Sequence, residues 1–191
     1  ATPNEQIAKH FDNTIANARL IVDLNKKLSN LLVYDKFSPP VASRIFAYAN
    51  LAARVTASEF DKIPYPKVLL GFDKLKKNNY SEEIIVLGIL KSFSFVAKEM
   101  VYSQAKWKIS SEELINKFIA DNHISSKSVV IADSVAQIKA KQILKWASTD
   151  GYAQRLSFKK YEVFYNVDST WKPTAPSYGL PVEPYWGTIR P

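Results

Sequence analysis

Any chemistry in this chain has to be carried out without thiols. The 191 residues contain no Cys, which excludes disulfides, thiolate metal sites and cysteine nucleophiles. Two histidines, His10 and His123, are available for proton transfer or metal ligation, and they fall on different predicted elements without His-x-x-x-His or Glu-x-x-His spacing. His123, between Asn122 and Ile124, reads as a surface histidine in a helix-helix connection. Adjacent carboxylates at Glu82-Glu83 and Glu112-Glu113 have the residue types for acid-base work, but both pairs read as first-turn residues, where acidic side chains complement a helix dipole. The five glycines (Gly71, Gly88, Gly151, Gly179, Gly187) never cluster and no Gly-Lys-Ser/Thr follows a strand, so a P-loop or dinucleotide site is ruled out. No Ser lies in a Gly-x-Ser-x-Gly elbow. What remains is chemistry by Lys, Arg, carboxylates, hydroxyls and backbone, and no residue stands out as catalytic, cofactor-binding or metal-ligating.

The charge balance, 26 Lys plus Arg against 18 Asp plus Glu, leaves a net +8. The densest basic cluster, Lys74, Lys76 and Lys77, is short, lacks interleaved aromatics and is followed by a turn-like Asn78-Asn79, so the excess reads as a solvated exterior and no nucleic-acid partner is expected. The most apolar stretch, Ile84 to Ala97, is interrupted by Lys91, Ser92 and Ser94. It falls short of the roughly 18 to 20 residues a bilayer span needs and reads as a buried helix. The start at Ala1, without an initiator Met, reads as processed or engineered.

The elements that must position any site are helical. Thr2, Pro3 and Glu5 form a capping box for a first helix, in which Ile7, Phe11, Ile15, Ala18 and Val22 recur at helical spacing and Leu24, Leu28, Leu31 and Leu32 carry the apolar face on towards Tyr34. Ser38-Pro39-Pro40 opens a second helix, with Ser38 as the cap. Its residues Val41, Ile45, Tyr48, Ala52 and Val55 form one apolar stripe, and Phe46, Ala49 and Ala53 a second. Such a helix is expected to pack on more than one side, with Arg44 and Arg54 requiring partners if buried. Ile63-Pro64-Tyr65-Pro66 breaks the periodicity. A third helix begins at Ser81 and continues through Ile85, Phe93 and Val96 towards Tyr102 or Trp107. Ser110 with Glu113 reads as a capping box for a shorter helix through Leu114, Phe118 and Ile119, ending near Asn122. Ser125 or Ser126 opens the last helix, with a stripe of Ile131, Val135, Ile138 and Trp146 and an end at Asp150-Gly151.

Beyond Gly151 the character changes. Phe158 to Asn166 alternates in places, as a short strand or an extended arm would, and five of the ten prolines lie after Trp171. The predicted fold is therefore all-α, a bundle of about five helices over residues 1–151, followed by an extended Pro/aromatic-rich C-terminal tail over 152–191. Trp171, Tyr178, Tyr185 and Trp186 in that tail either pack on the helices or form a carbohydrate or peptide platform, and packing is the reading preferred.

Two segments go beyond composition. The run Phe37-Ser-Pro-Pro-Val-Ala-Ser-Arg-Ile-Phe-Ala-Tyr-Ala-Asn50, continuing Leu-Ala-Ala, resembles the early helix of bacterial exported proteins in the vanadium-dependent haloperoxidase and type-2 phosphatidic acid phosphatase superfamily. Trp171-Lys-Pro-Thr-Ala-Pro-Ser-Tyr178, followed by Pro-Val-Glu-Pro-Tyr-Trp-Gly187 and Ile-Arg-Pro191, is similar to the Trp-x-Pro-Thr-x-Pro and Glu-Pro-x-Trp segments of the same proteins, in the same order. The resemblance implies a helical fold whose second half holds phosphate or vanadate with a Lys, two Arg, a Ser-Gly-His segment and a later His. This chain has no Ser-Gly-His, and its one Arg-Pro, Arg190-Pro191, has Glu183 where the Lys would precede it, so no catalytic, cofactor-binding or metal residue is carried over.

The expectation is thus the non-catalytic N-terminal portion of a haloperoxidase-like or acid-phosphatase-like enzyme, scaffolding an oxyanion site beyond residue 191. Vanadate or phosphate would belong to the complete parent, whose C-terminal catalytic half is the expected partner. A homodimer would cover the exposed patch when that half is absent, and family resemblance places the protein in the periplasm or outside the cell. The alternative is a free-standing helical binding module for a glycan, peptide or anionic polymer; a basic nucleic-acid-binding bundle ranks behind both.

Overall fold

The computed structural model describes residues 3–60 and 80–190, with side chains described for 17–59 and 80–190. The side chain of His10, the Thr2-Glu5 capping box, the stripe residues Ile7, Phe11 and Ile15, the Ile63–Pro66 break, Gly71 and the Lys74–Lys77 cluster lie outside these limits. Five α-helices, α1 (Pro3–Tyr34), α2 (Pro39–Phe60), α3 (Glu82–Met100), α4 (Gln104–Asp121) and α5 (Ser126–Ala147), are followed by two short 3-10 turns, Ala153–Ser157 and Trp186–Thr188. Among the described residues there is no strand. The fold is all-α, and residues 159–164 have no regular secondary structure and run into a turn at 165–166. The strand alternative is not met among the described residues.

Helix α3 is the centre of the bundle, packing against α1, α2, α4 and α5. Its Leu87, Leu90, Phe93, Val96 and Ala97 are completely buried. Helix α2 does pack on more than one side, against α1, α3 and α5. Its buried Ala49, Ala52 and Ala53 keep the side-chain layer thin and let neighbouring backbones approach. Polar links also cross the core. Asn25 and Asn50 exchange amide hydrogen bonds of 3.0 and 2.8 Å between α1 and α2. Buried Lys139 of α5 forms an ion pair with buried Glu59 of α2, so neither charge is left uncompensated in the interior.

The junctions are where expectation and structure part. The third helix stops at Met100 instead of running on to Tyr102 or Trp107. Asp35, in the α1–α2 turn, accepts from the backbone N–H groups of Tyr102 and Ser103 at 3.0 Å each and pins the chain break there. Phe37 stacks on Tyr102 with ring centroids 4.4 Å apart beside it. Helix α4 consequently starts at Gln104, so Ser110 lies inside it and bonds back to the Trp107 carbonyl. The Ser110-Glu113 pair is therefore not a capping box. Ser125 does cap α5, accepting from the Ser128 N–H at 3.2 Å. Ser38 precedes α2 as expected, but its hydroxyl is buried without a hydrogen-bond partner among the described residues, so it makes no side-chain cap.

Two apolar stripes also turn out rotated. Ala18 and Val22 face outwards, with Val22 half exposed, because α1 presents Leu24, Leu28, Leu31 and Leu32 to its neighbours. Ile138 of α5 is likewise exposed, and that helix buries Ala132, Val135, Ala136, Lys139, Ala140, Ile143 and Ala147 instead. Small residues win the inward positions because α5 lies close against α3.

Trp107 is completely buried at the start of α4, lies 6.2 Å from the Phe93 ring, and donates its indole N–H to the Ser94 carbonyl at 2.9 Å. Trp107→Ala should lower unfolding stability by roughly 3 to 5 kcal/mol through a cavity and a lost partner for that carbonyl. A urea unfolding midpoint unchanged from the parent chain would show that α4 does not contribute to the cooperative core.

Candidate functional site

The last turn of α5 gives way to Ser148, Thr149 and Asp150, and Gly151 then takes φ +94°, a left-handed conformation suited to glycine. That turn aims Asp150 inwards. Its Oδ2 accepts from Arg44 Nε at 2.7 Å and from the Tyr48 hydroxyl at 2.9 Å, both from α2, and its Oδ1 accepts from the Tyr152 N–H at 2.9 Å. The side chains of Arg44 and Asp150 are 12% and 1% exposed, so this is a buried, fully hydrogen-bonded ion pair. Burial by itself would raise the Asp150 pKa. The hydrogen bonds from Arg44, the Tyr152 N–H and Tyr48 outweigh it and hold the carboxyl below its ordinary value. Tyr48 shifts up, first through burial and then through its bond to Asp150, against an opposing pull from Arg190 and Arg44.

Cations and rings build outward from this pair. Arg44 lies over the Tyr152 ring at 4.2 Å, and Arg155 over the same ring at 3.6 Å. Arg155 is paired with Glu183 at 3.0 Å, and the Trp186 ring meets Tyr152 edge-on. The tail then returns to α5: the Arg190 N–H bonds the Asp150 carbonyl at 2.9 Å, and its Nη2 bonds the Trp146 carbonyl at 2.6 Å. Between α2, the end of α5 and this returning tail lies an open groove of about 640 Å³. Its walls include Ala47, Leu51, Trp146, Trp186, Ile189 and Arg190, with Arg44, Tyr48 and Asp150 at its polar end.

The residues weighed from sequence alone are scattered. Glu82 and Glu83 do sit in the first turn of α3, and the Ser81 hydrogen bond lowers the Glu83 pKa. Glu112 and Glu113 are mid-helix, since α4 starts earlier, and they pair with Lys108 and Lys27 on the surface. The dipole explanation therefore does not apply to them. His123 is exposed, with φ +50°, in the α4–α5 connection. The tail aromatics divide: Tyr185 and Trp186 are half-buried, whereas Trp171 and Tyr178 are exposed, so packing accounts for the first two only. Arg44 was legible as a cation needing a partner on an apolar helix. Asp150 was missed, because Asp-Gly at a helix end reads as a turn and nothing local marks it as an ion-pair acceptor.

No protein-family profile matches the chain, and no curated protein does. Among solved structures it resembles the crystal structure of the first bacterial vanadium-dependent iodoperoxidase, with a TM-score of 0.65 and 24% sequence identity. The match covers 91% of this chain and 42% of that one, so the chain spans less than half the length of the protein it resembles. At this identity the likeness is one of fold: the bundle has the haloperoxidase-like helical architecture over part of that protein's length.

The group such a fold raises is vanadate or phosphate, and the groove does not suit it. A multiply charged oxyanion needs several cations converging on it. Here Arg44 is taken up by Asp150 and Arg155 by Glu183, which leaves Arg190 as the one lining cation outside an ion pair. Among the described residues no three His, Cys, Asp or Glu side chains gather as metal ligands either.

The Arg44–Asp150 pair makes a directional prediction. With its folded pKa depressed, Asp150 contributes its full stabilisation above the ordinary carboxylate value near 3.9 and loses it as pH falls through the folded value. Asp150→Asn, which strands the Arg44 charge, should cost about 3 kcal/mol at pH 7. The gap between variant and parent should narrow at pH 3, as read from urea midpoints. Equal midpoints at pH 7 would dismiss the pair as an anchor.

Proposed function

We propose that this chain is the non-catalytic helical portion of a haloperoxidase-like or acid-phosphatase-like enzyme, and that it scaffolds a phosphate or vanadate site supplied by residues outside these 191. The observation that carries this reading is the unequal coverage of the structural match: nearly all of this chain lies within the helical architecture of an iodoperoxidase more than twice as long. The likeness to an iodoperoxidase favours halide oxidation over phosphate ester hydrolysis as the chemistry of the whole.

Support also comes from the tail. Leu156, Leu180 and Val182 are 80%, 74% and 60% exposed, and Phe164, Tyr165 and Tyr178 are exposed with them. So much apolar side chain left in water on one segment fits a surface that meets a partner. In this reading the partner is a catalytic half of the same protein, C-terminal to this region, and two copies associate through the tail when that half is missing. The family resemblance supports action in the periplasm or outside the cell. Among the described residues no helix is long and apolar enough to cross a membrane.

The parent reading frame past Pro191 tests the proposal directly. It should encode a Lys, an Arg-Pro, a Ser-Gly-His segment and then an Arg and a His; a stop codon at that point sinks the reading. Phosphatase and iodide-peroxidation assays of the 191-residue chain should both be blank, and turnover in either would place a catalytic centre within it. In sedimentation the isolated chain should self-associate at micromolar concentration, and replacing Leu156, Leu180 and Val182 by Ser should return it to a monomer. A parent chain that is monomeric throughout would remove the tail as a docking face.

A further inference from the structure

We propose that the groove between α2, the end of α5 and the tail binds a small amphipathic monoanion, a flat apolar body carrying one carboxylate. This goes beyond the scaffold role and uses a different surface from the exposed tail. The volume of about 640 Å³ falls within the range of small-molecule sites, roughly 300 to 1,000 Å³. Its lining suits a flat apolar body: Ala47, Leu51 and Ile189 supply aliphatic surface, and Trp146 and Trp186 supply indole rings.

The charge calls for one negative group. Of the charged residues that line the groove, Arg44 and Asp150 neutralise each other at 2.7 Å, which leaves Arg190. Among the described residues Arg190 has no carboxylate within ion-pair distance; it lies over the Trp146 ring at 4.1 Å, bonds the Trp146 carbonyl and the Thr149 hydroxyl, and its side chain also acts on the Tyr48 hydroxyl. Among the residues that line the groove its guanidinium is the one cation outside an ion pair, and a carboxylate oxygen is the acceptor that guanidinium geometry favours. Because ring contact and backbone bonds already hold Arg190, little ordering is required when the anion arrives. A dianion or polyanion is disfavoured because only one guanidinium at that end lies outside an ion pair.

Calorimetric titration of the whole chain with 2-naphthoate and with neutral 2-naphthylmethanol of similar shape tests this, with tryptophan fluorescence as a parallel readout. One naphthoate should bind per chain, and the neutral probe should bind at least about tenfold more weakly, the scale of a charge-assisted hydrogen bond. Arg190→Met should abolish that difference. Since Arg190 also ties down the tail, a second variant guards the test: Ala47→Trp, at an exposed position on α2, fills the groove and should remove both probes while leaving the circular dichroism unchanged. The Leu156, Leu180 and Val182 to Ser variant should keep naphthoate affinity, so failure of the docking face and failure of this site read out separately. Absence of saturable binding, equal affinity for the two probes, binding that survives Ala47→Trp, or discrimination that persists in Arg190→Met would each overturn the proposal. Equal affinity would identify an apolar docking face in its place.

Discussion

A guanidinium and a carboxylate removed from water together hold the end of this molecule in place. Neither Arg44 nor Asp150 is tolerable alone where it sits, because an unpaired charge at that burial costs several kcal/mol. Their pairing therefore fixes how the end of α5 lies against α2. Once that is set, the Asp150 backbone carbonyl is placed to receive the Arg190 N–H, Tyr152 is placed between Arg44 and Arg155, and the tail has a route back across the bundle. A segment with almost no regular hydrogen bonding thus acquires a defined path from cation-ring contacts and a few backbone bonds.

The same constraint shapes what the molecule offers to others. Because the pair neutralises itself, the polar end of the groove carries only the charge of Arg190, too little for vanadate or phosphate and suited to a single carboxylate. The tail, tied at Tyr152, Glu183 and Arg190, holds its remaining apolar side chains out into solvent. A haloperoxidase-like helical architecture covering under half of a longer protein then carries two separate features, a groove of about 640 Å³ and a tail with exposed apolar side chains.

Helix count and most helix ends could be read from the chain because their signals are local. Pro39 and Pro40, Ser125 and the Asp150-Gly151 turn act within a few residues of themselves, and each lies where expected. The break between α3 and α4 could not be read, because it depends on Asp35, far earlier in the chain, accepting from Tyr102 and Ser103. Without that contact, Ser110 and Glu113 imitate a helix start, and the local reading went wrong there for that reason. The inward faces of α1 and α5 were misassigned at Val22 and Ile138 because apolar spacing defines a stripe without saying which neighbour it meets.

The amino-acid sequence alone determined that this protein is an all-α bundle with an extended aromatic tail, since turn chemistry and apolar periodicity are properties of short windows. It also excluded thiol, P-loop and dinucleotide chemistry by composition. Tertiary structure alone decided the partner of Arg44, the groove and the placing of the Arg190 guanidinium at its edge. Arg44 and Asp150 are 106 residues apart, and Arg190 reaches Trp146 across 44. Pairings over such separations follow from how the helices pack and where the chain returns, which no local pattern encodes.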